Sequence, residues 1–502
     1  MFLLEISYTS FFEAALTSAL SLVLLLAASH QLWSLRWHST RDRGSSLPLP
    51  KGSMGWPFFG ETLHWLVQGS SFHSSRREKY GNIFKTHLLG KPVIRVTGAE
   101  NIRKILLGEH HLVSTQWPQS TQIILGSNTL SNSIGELHRQ KRKMMSKVLS
   151  SAALESYLPR IHEAVRWEVR SWCRGVGPVS MLSCAKALTF RIAARILLGL
   201  SLTDTQFQEL TRTFEQLVEN LFCLPLDIPF SGLRKVLASL PASPHSCSFP
   251  STWVGACYCD TGICLPLTPH LLLNYISQHP HPASICQESA IELIFAAFLT
   301  TASASTSLVL LLLKHPSAIH KIRQELASHG LSEHCEQLPG KLQNSVFEGT
   351  CQQNISLEKL KSLHYLDCVV KEVLRLLPPV SGGYRTALQT FELDGYQIPK
   401  GWSVMYSIRD THETAAVYQN AEMFDPERFS TERDEGKLGR FNYIPFGGGA
   451  RSCIGKELAQ IILKILAMEL VTTAKWELAT PSFPKMQTVP VVHPVDGLQL
   501  SF

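Results

Sequence analysis

Near the C-terminal end, the run Phe446-Gly447-Gly448-Gly449-Ala450-Arg451-Ser452-Cys453-Ile454-Gly455 places a cysteine in a glycine-rich loop, just before the apolar stretch Ile454–Thr472. The three glycines open backbone angles closed to other residues and let a bulky flat ligand approach the main chain. Arg451 sets a fixed positive fork two residues before the sulfur, suited to a carboxylate such as a haem propionate. Cys453 sits near the N-terminus of the following helix, where the dipole and free N–H groups favour thiolate over thiol. A thiolate so placed can be the axial ligand of a haem iron, pushing electron density onto the metal and favouring O–O cleavage. A lone cysteine beside a turn is more often a buried structural thiol. The restrictive spacing Phe-x-x-Gly-x-Arg-x-Cys-x-Gly argues against that here.

Other elements must hold this loop and close the site. Ser289–Leu313 is a long helix candidate, too apolar all round for a surface helix and interrupted by Ser and Thr. It carries Ala296-Ala297-Phe298-Leu299-Thr300-Thr301: small residues that let a flat cofactor lie close, then hydroxyls that can relay protons. A second membrane span is the competing reading of that helix. Glu372 and Arg375 lie i,i+3 on the helix Lys361–Leu377, which Pro378 and Pro379 end; alone, such a pair is usually a solvated contact of little worth. His138 and Arg142 share a helical face within the basic run 138–143, by itself consistent with an exposed surface. Phe84–Leu89 and Pro92–Val96, separated by Gly90-Lys91, read as a hairpin. Leu154–Cys173, Ala185–Leu198 and Thr203–Phe222 carry apolar residues at helical spacing.

A length of 502 residues with 44% hydrophobic and 17% charged content permits one large core. The net charge of +7 is spread along the chain; it does not point to nucleic acid and suits an anionic membrane or an acidic partner. Twelve cysteines without framework spacing indicate a reducing compartment. Ala14–Leu35 holds no charged residue, and about 22 residues at a 1.5 Å rise span a bilayer core of roughly 30 Å. Arg36, Arg41, Arg43 and Lys51 follow it, so the positive-inside rule leaves the main body in the cytosol, with Trp33 and Trp37 expected at the interface. A cleaved signal peptide fits less well, because a basic n-region is missing. The expected organisation is a membrane anchor over 1–36, a Pro/Gly-rich hinge over 37–60, and a catalytic domain over 61–502.

With these motifs in place, the chain resembles the cytochrome P450 monooxygenases over nearly its whole length. Gln116-Trp117-Pro118, Ile124-Leu125-Gly126-Ser127, Phe295–Thr306, Pro378–Arg385 and Tyr396–Trp402 narrow the resemblance to the retinoic acid hydroxylases. It implies a mostly α-helical haem-thiolate fold with small β-sheets. It implies haem b held by Cys453 as iron ligand, with Phe446 and Gly449 in the haem loop and His138, Arg142, Arg385 and Arg451 on the propionates. Thr300, with Thr301 beside it, would assist proton delivery to dioxygen. Glu372, Arg375 and Arg428 would form a structural triad behind the haem. Trp117, Phe222, Phe295, Phe298, Val380 and Tyr384 would line an apolar tunnel, with Arg95 as carboxylate anchor. The implied reaction is 4-hydroxylation of all-trans retinoic acid. Because no Gly-x-Gly-x-x-Gly fingerprint is present, electrons would come from NADPH through a separate NADPH–cytochrome P450 reductase. The implied location is the endoplasmic reticulum membrane, single-pass, facing the cytosol. A fatty acid or sterol hydroxylase and a catalytically impaired haem or retinoid binder are the alternatives.

Three positions depart from the family's pattern: His138 stands for a tryptophan, Ala297 for a glycine and Leu299 for an acid. A segment departs further. From Val236 to Gln287 there is a single charged residue, Asp260, in 52 positions, where the chain's 17% average gives about nine; the same window holds seven prolines and five cysteines. No long helix is expected through that proline density, whereas the family has two charged helices there. The leading reading is foreign sequence from a mis-spliced or mispredicted exon, ahead of a lineage-specific loop. A metal site on Cys257, Cys259, Cys264 and His270 comes last, lacking the paired geometry of structural zinc.

Overall fold

The computed structural model describes residues 8–69, 71–115, 117, 119–126, 129–200, 202–221, 234, 282–331 and 355–502. Phe222, Gln116, Pro118 and Ser127 lie outside them, as does 236–281 of the uncharged segment. The chain divides into two compact units, Met1–Ser114 with Tyr384–Ser407, and Thr115–Gly383 with Ile408–Phe502.

The first described element of the first unit is α1 (Tyr8–Ser39), which ends three residues beyond the expected anchor. It is long and apolar enough to cross a membrane, and none of its apolar window is buried. A five-stranded sheet follows, in the order β1 (Ile83–Leu88), β2 (Lys91–Val96), β5 (Ser403–Ser407), β4 (Gly382–Ala387), β3 (Val113–Thr115). The expected hairpin is β1–β2, antiparallel from Ile83↔Val96 to Leu88↔Lys91; β2 then runs parallel to β5.

Trp33 and Trp37 pack against the domain that follows α1. Trp33 is buried, its indole N–H donates to the Met54 carbonyl at 3.1 Å, and its ring meets Trp37 and His87 at 5.4 and 5.0 Å. Trp37 in turn meets Trp402 at 6.0 Å. Such edge-to-face ring pairs add about 0.5–1.5 kcal/mol each beyond their burial. The segment expected as a hinge is tied to the sheet: Lys85 N–H donates to Lys51 at 2.8 Å, and Glu61 N–H to His87 at 2.9 Å. Gly60 makes this approach possible, since a Cβ there would sit 2.2 Å from the His87 carbonyl oxygen.

The second unit is helical. α4 (Ser151–Arg174), α5 (Met181–Ile192), α6 (Asp204–Glu219), α7 (Pro282–Lys314), α8 (His364–Leu376) and α9 (Lys456–Thr473) supply most of its core; α2 is Thr62–Gln68 of the first unit and α3 is Gly135–Val148. α7 packs on α5, α8 and α9. Its apolar window is 72% buried, so it is a core helix and not a second span. It starts seven residues earlier than expected, at Pro282 within the uncharged segment; proline suits a first helical turn. The expected helix 361–377 is interrupted at Leu363, giving Leu357–Ser362 and then α8.

Glu372 and Arg375 are fully buried on α8. Arg375 Nε and Nη2 donate to Glu372 at 2.6 and 2.8 Å, and Arg428 Nε reaches it at 3.3 Å, as the triad requires. Two groups unforeseen in the sequence complete it. Asp425 N–H donates to Glu372 at 3.0 Å, and Glu435 accepts from Arg428 Nη1 at 3.2 Å. Removing one partner of a buried pair strands the other, so Arg428→Met should lower stability by about 3–5 kcal/mol. Arg409→Met, at a half-exposed i,i+4 pair with Glu413, should cost less than about 1 kcal/mol. Unfolding midpoints of the two variants test the difference.

His412 lies beside this network, with Nδ1 donating to the Arg375 carbonyl at 3.0 Å and Nε2 accepting from Ile444 N–H at 2.9 Å. Full burial pushes its pKa down to about 3. Below the ordinary histidine value of about 6.5, the unfolded chain takes up a proton that the folded chain refuses. This group's stability is therefore complete above about pH 6.5 and falls by roughly 1.4 kcal/mol per unit below it. Urea unfolding between pH 7 and pH 5 should show that slope, and His412→Gln should flatten it.

Candidate active site

The cysteine loop is shaped by two glycines of the three. Gly447 and Gly449 have φ of +67° and +66°, the left-handed region, whereas Gly448 at −161° is extended. Backbone bonds then close it: Gly447 N–H to Ile444 and Cys453 N–H to Phe446, both 2.9 Å. Phe446 packs against the core of the second unit. Cys453 is solvent-accessible at its tip yet crowded on most sides, as at the floor of a recess. Burial pushes its thiol up, against the Gly455 N–H and the charges of Arg142 and Lys456. The expectation that the helix end favours thiolate is thus only half met, because α9 starts three residues later, at Lys456. A bound metal cation would reverse the balance, since coordination deprotonates a thiol outright.

Two expected arginines flank the cysteine. Arg142 on α3 donates through Nη2 to the Ser452 carbonyl at 2.6 Å and hydroxyl at 3.1 Å. Burial lowers its pKa, Cys453 opposes that and Arg451 adds to it, so Arg142 feels the charge of both. Arg451 donates to the carbonyls of Ser131 (3.3 Å) and Ser133 (2.6 Å). His138, one turn before Arg142, is buried. His138, Arg142, Lys143, Leu149, Gly449 and Ser452 line a recess of about 510 Å³.

Glu292 escaped the sequence reading. Its carboxylate accepts Leu130 N–H at 2.6 Å and Ser131 N–H at 2.7 Å, so the 130–133 loop is gripped from α7 and from Arg451. Burial pushes the Glu292 carboxyl up, opposed by hydrogen bonds from Ser131 and Leu130 and by Lys141. The signal was present: Glu292 is the sole charge in the run Ser289–Leu313.

Thr300 and Thr301 do not share a role. Thr300 is partly accessible beside exposed Ala296, and its hydroxyl donates to the Ala296 carbonyl at 2.6 Å. Thr301 is buried. Phe298 is fully buried and packs against Phe190 and Phe214 at 5.9 and 5.5 Å, which makes it core and not tunnel wall. Phe295 and Trp117 are half-buried and Val380 exposed, all in the second unit.

Arg385, Arg95 and Tyr384 belong to the first unit. Arg385 is held by buried Glu109 at 2.8 Å and lies 5.4 Å over the Tyr406 ring, so it is already neutralised where a propionate ligand was expected. Arg95 is buried on β2. Tyr384 is 37% exposed, yet crowding about its hydroxyl pushes the phenol up while the Arg95 charge pulls it down.

The sequence model of the family described as Cytochrome P450 matches residues 50–241 and 283–502. Human "Cytochrome P450 26C1" is 62% identical over 512 residues, covering 100% of this chain and 97% of that protein. Bovine "Cytochrome P450 26B1" is 53% identical over 484 residues, covering 96% and 92%. Among solved structures, "Retinoic acid bound cyanobacterial CYP120A1" matches with a TM-score of 0.78 at 31% identity, over 91% of this chain and 99% of that one. Gly449→Ala would force a side chain into a left-handed angle at a cost of about 1–2 kcal/mol; the expected outcome is a lower thermal midpoint with loss of the ligand-binding loop's order, read by haem retention.

Proposed function

The chain belongs to the cytochrome P450 family and is a haem-dependent monooxygenase, and from that premise we propose that it hydroxylates retinoic acid, chiefly all-trans retinoic acid at ring carbon 4. The observation that carries this reading is the match over almost the full chain to a fold solved with retinoic acid bound, together with the hydroxylase motifs at 116–118, 295–306 and 378–385.

The residues present fit a haem. An accessible cysteine sits on a loop built from two left-handed glycines, with Gly455 N–H at the sulfur and two guanidinium groups beside it. When bound, haem iron supplies the activation of dioxygen and the insertion of one oxygen atom into a C–H bond. Cys453 would be its thiolate ligand, with the Gly455 N–H tempering the sulfur's charge. Arg142, Arg451 and His138 would pair with the propionates. Arg385, the remaining candidate, lies in the first unit and is already paired with Glu109.

Thr300 would position a water for proton delivery. Its hydroxyl proton is committed to Ala296, leaving its oxygen lone pairs to accept from that water. Leu299 supplies no carboxylate, so the proton must travel by hydroxyl and water alone. Within the second unit, Phe295, Trp117 and Val380 would offer apolar wall to the polyene. Electrons would reach the site from NADPH through a separate reductase. The exposed basic residues Arg139 and Lys143 at the recess suit an acidic partner. α1 would hold the chain in the endoplasmic reticulum membrane with its body in the cytosol.

The test is turnover by the full-length chain with reductase and NADPH in lipid. Retinoic acid should gain one oxygen atom, excess lauric acid should not compete, and Cys453→Ser should abolish the product. Thr300→Val should lower product formed per NADPH consumed by about tenfold or more. A haem-loaded chain that consumes NADPH but hydroxylates lauric acid in preference would assign it to fatty acids instead.

A further inference from the structure

A second cavity lies within the first unit, between the C-terminal end of α1 and the segment 49–55. It measures about 220 Å³, and His30, Trp33, Ser34, Trp37, Met54 and Lys85 are among its lining residues. That is below the roughly 300–1,000 Å³ of pockets that enclose drug-sized ligands, and so too small for a retinoid.

Its lining is cationic and donor-rich. None of the lining residues carries a carboxylate. Burial alone lowers the Lys85 pKa, with no neighbouring charge acting on it, so its ammonium is unneutralised among the described residues. The Trp37 indole N–H is buried and meets no acceptor there. Buried donors nearly always have a partner, and an orphan calls for one. The Arg36 guanidinium lies over the rings of Trp33 and Trp37 at 5.8 and 5.3 Å and adds positive potential.

The surroundings are apolar and open. Leu32 and Leu35 on α1 are exposed, and the loop following the cavity exposes Trp56, Phe58 and Phe59, Phe58 by 77%. With α1 set in a bilayer as proposed above, these side chains would face lipid and the cavity at the C-terminal end of α1 would lie near the phosphate groups.

We propose that this cavity is an anion site for a phosphate group, with the Lys85 ammonium and the Trp37 indole N–H as its donors. The phosphate could come from a phospholipid head group or from free phosphate, and both present the same acceptor oxygens. Hydrogen bonds between charged partners are the strong ones, and removing either donor should weaken binding by about tenfold or more.

The experiment uses the delipidated full-length chain in neutral detergent. One arm titrates dioleoyl-phosphatidic acid, read by native mass spectrometry; the other titrates inorganic phosphate, read by equilibrium dialysis. Saturable binding that falls about tenfold in Lys85→Met and in Trp37→Phe, and persists in Lys85→Arg, supports the site. Binding of phosphatidic acid alone assigns it to lipid, and binding of phosphate alone to the free anion. Unchanged thermal midpoints in the variants separate lost binding from lost folding. Binding of neither ligand, or equal binding in wild type and both variants, overturns the proposal.

Discussion

The cysteine loop rests on one buried carboxylate. Glu372 is removed from water on α8 and would be untenable alone; Arg375, Arg428 and the Asp425 N–H make it tenable. The consequences run outward along named bonds. The Arg375 carbonyl takes His412 Nδ1–H, His412 Nε2 takes Ile444 N–H, and the Ile444 carbonyl takes Gly447 N–H at the start of the loop. Tyr443 stacks on His412 and donates to the Lys371 carbonyl, so the same helix holds that relay from both ends. The fixed tautomer of His412 follows from this, because one ring nitrogen must donate while the other accepts. A proton there would break the second bond.

A second clamp acts on the other side of the cysteine. The 130–133 loop offers N–H groups to Glu292 and carbonyl groups to Arg451. An acid and a base thus meet through backbone dipoles instead of touching, which satisfies both charges without either losing its partner. Through that loop, α7 and the cysteine loop are coupled within one unit. The same helix carries Ala296 and Thr300, so the residue that would handle protons and the residue that would bind iron share one framework. Positioning of this sort is where rate is won, since small misplacements between reacting groups are expensive.

The chemistry was more legible in the sequence than the supports were. Cys453 and Arg451 follow from residue type and short spacing, whereas Arg142 and the Glu372–Arg375–Arg428 triad follow from the family resemblance; the structure brings together Arg142 and the cysteine loop, and separately the triad. Side-chain direction was less legible. Phe298 and Thr301 sit within three residues of Thr300, yet at 100° per residue they turn into the core. A motif read as a string cannot make that distinction until neighbouring helices fix which face is inward. Long-range partners were hidden for another reason: Glu109 with Arg385, and Glu435 with Arg428, are ordinary surface residues by composition and become buried partners only through the fold. Glu292 was the exception, a lone charge in an apolar helix, which marks a buried and paired group.

The joint at α1 shows the same limit from the other direction. Tryptophans after an apolar span are expected at the membrane interface, but that rule assumes a helix free of the domain behind it. Here loop 48–60 lies against β1 through Gly60, and its carbonyl at Met54 offers Trp33 a partner that lipid would have to match. Rings of Trp33, Trp37, His87 and Trp402 then pack as one cluster. The apolar helix α1 is thus joined to the sheet unit by side-chain packing as well as by the chain itself. Arg95 and Tyr384 lie in that same unit. Arg95, the carboxylate anchor expected from the sequence, thus shares one packed unit with the apolar helix α1.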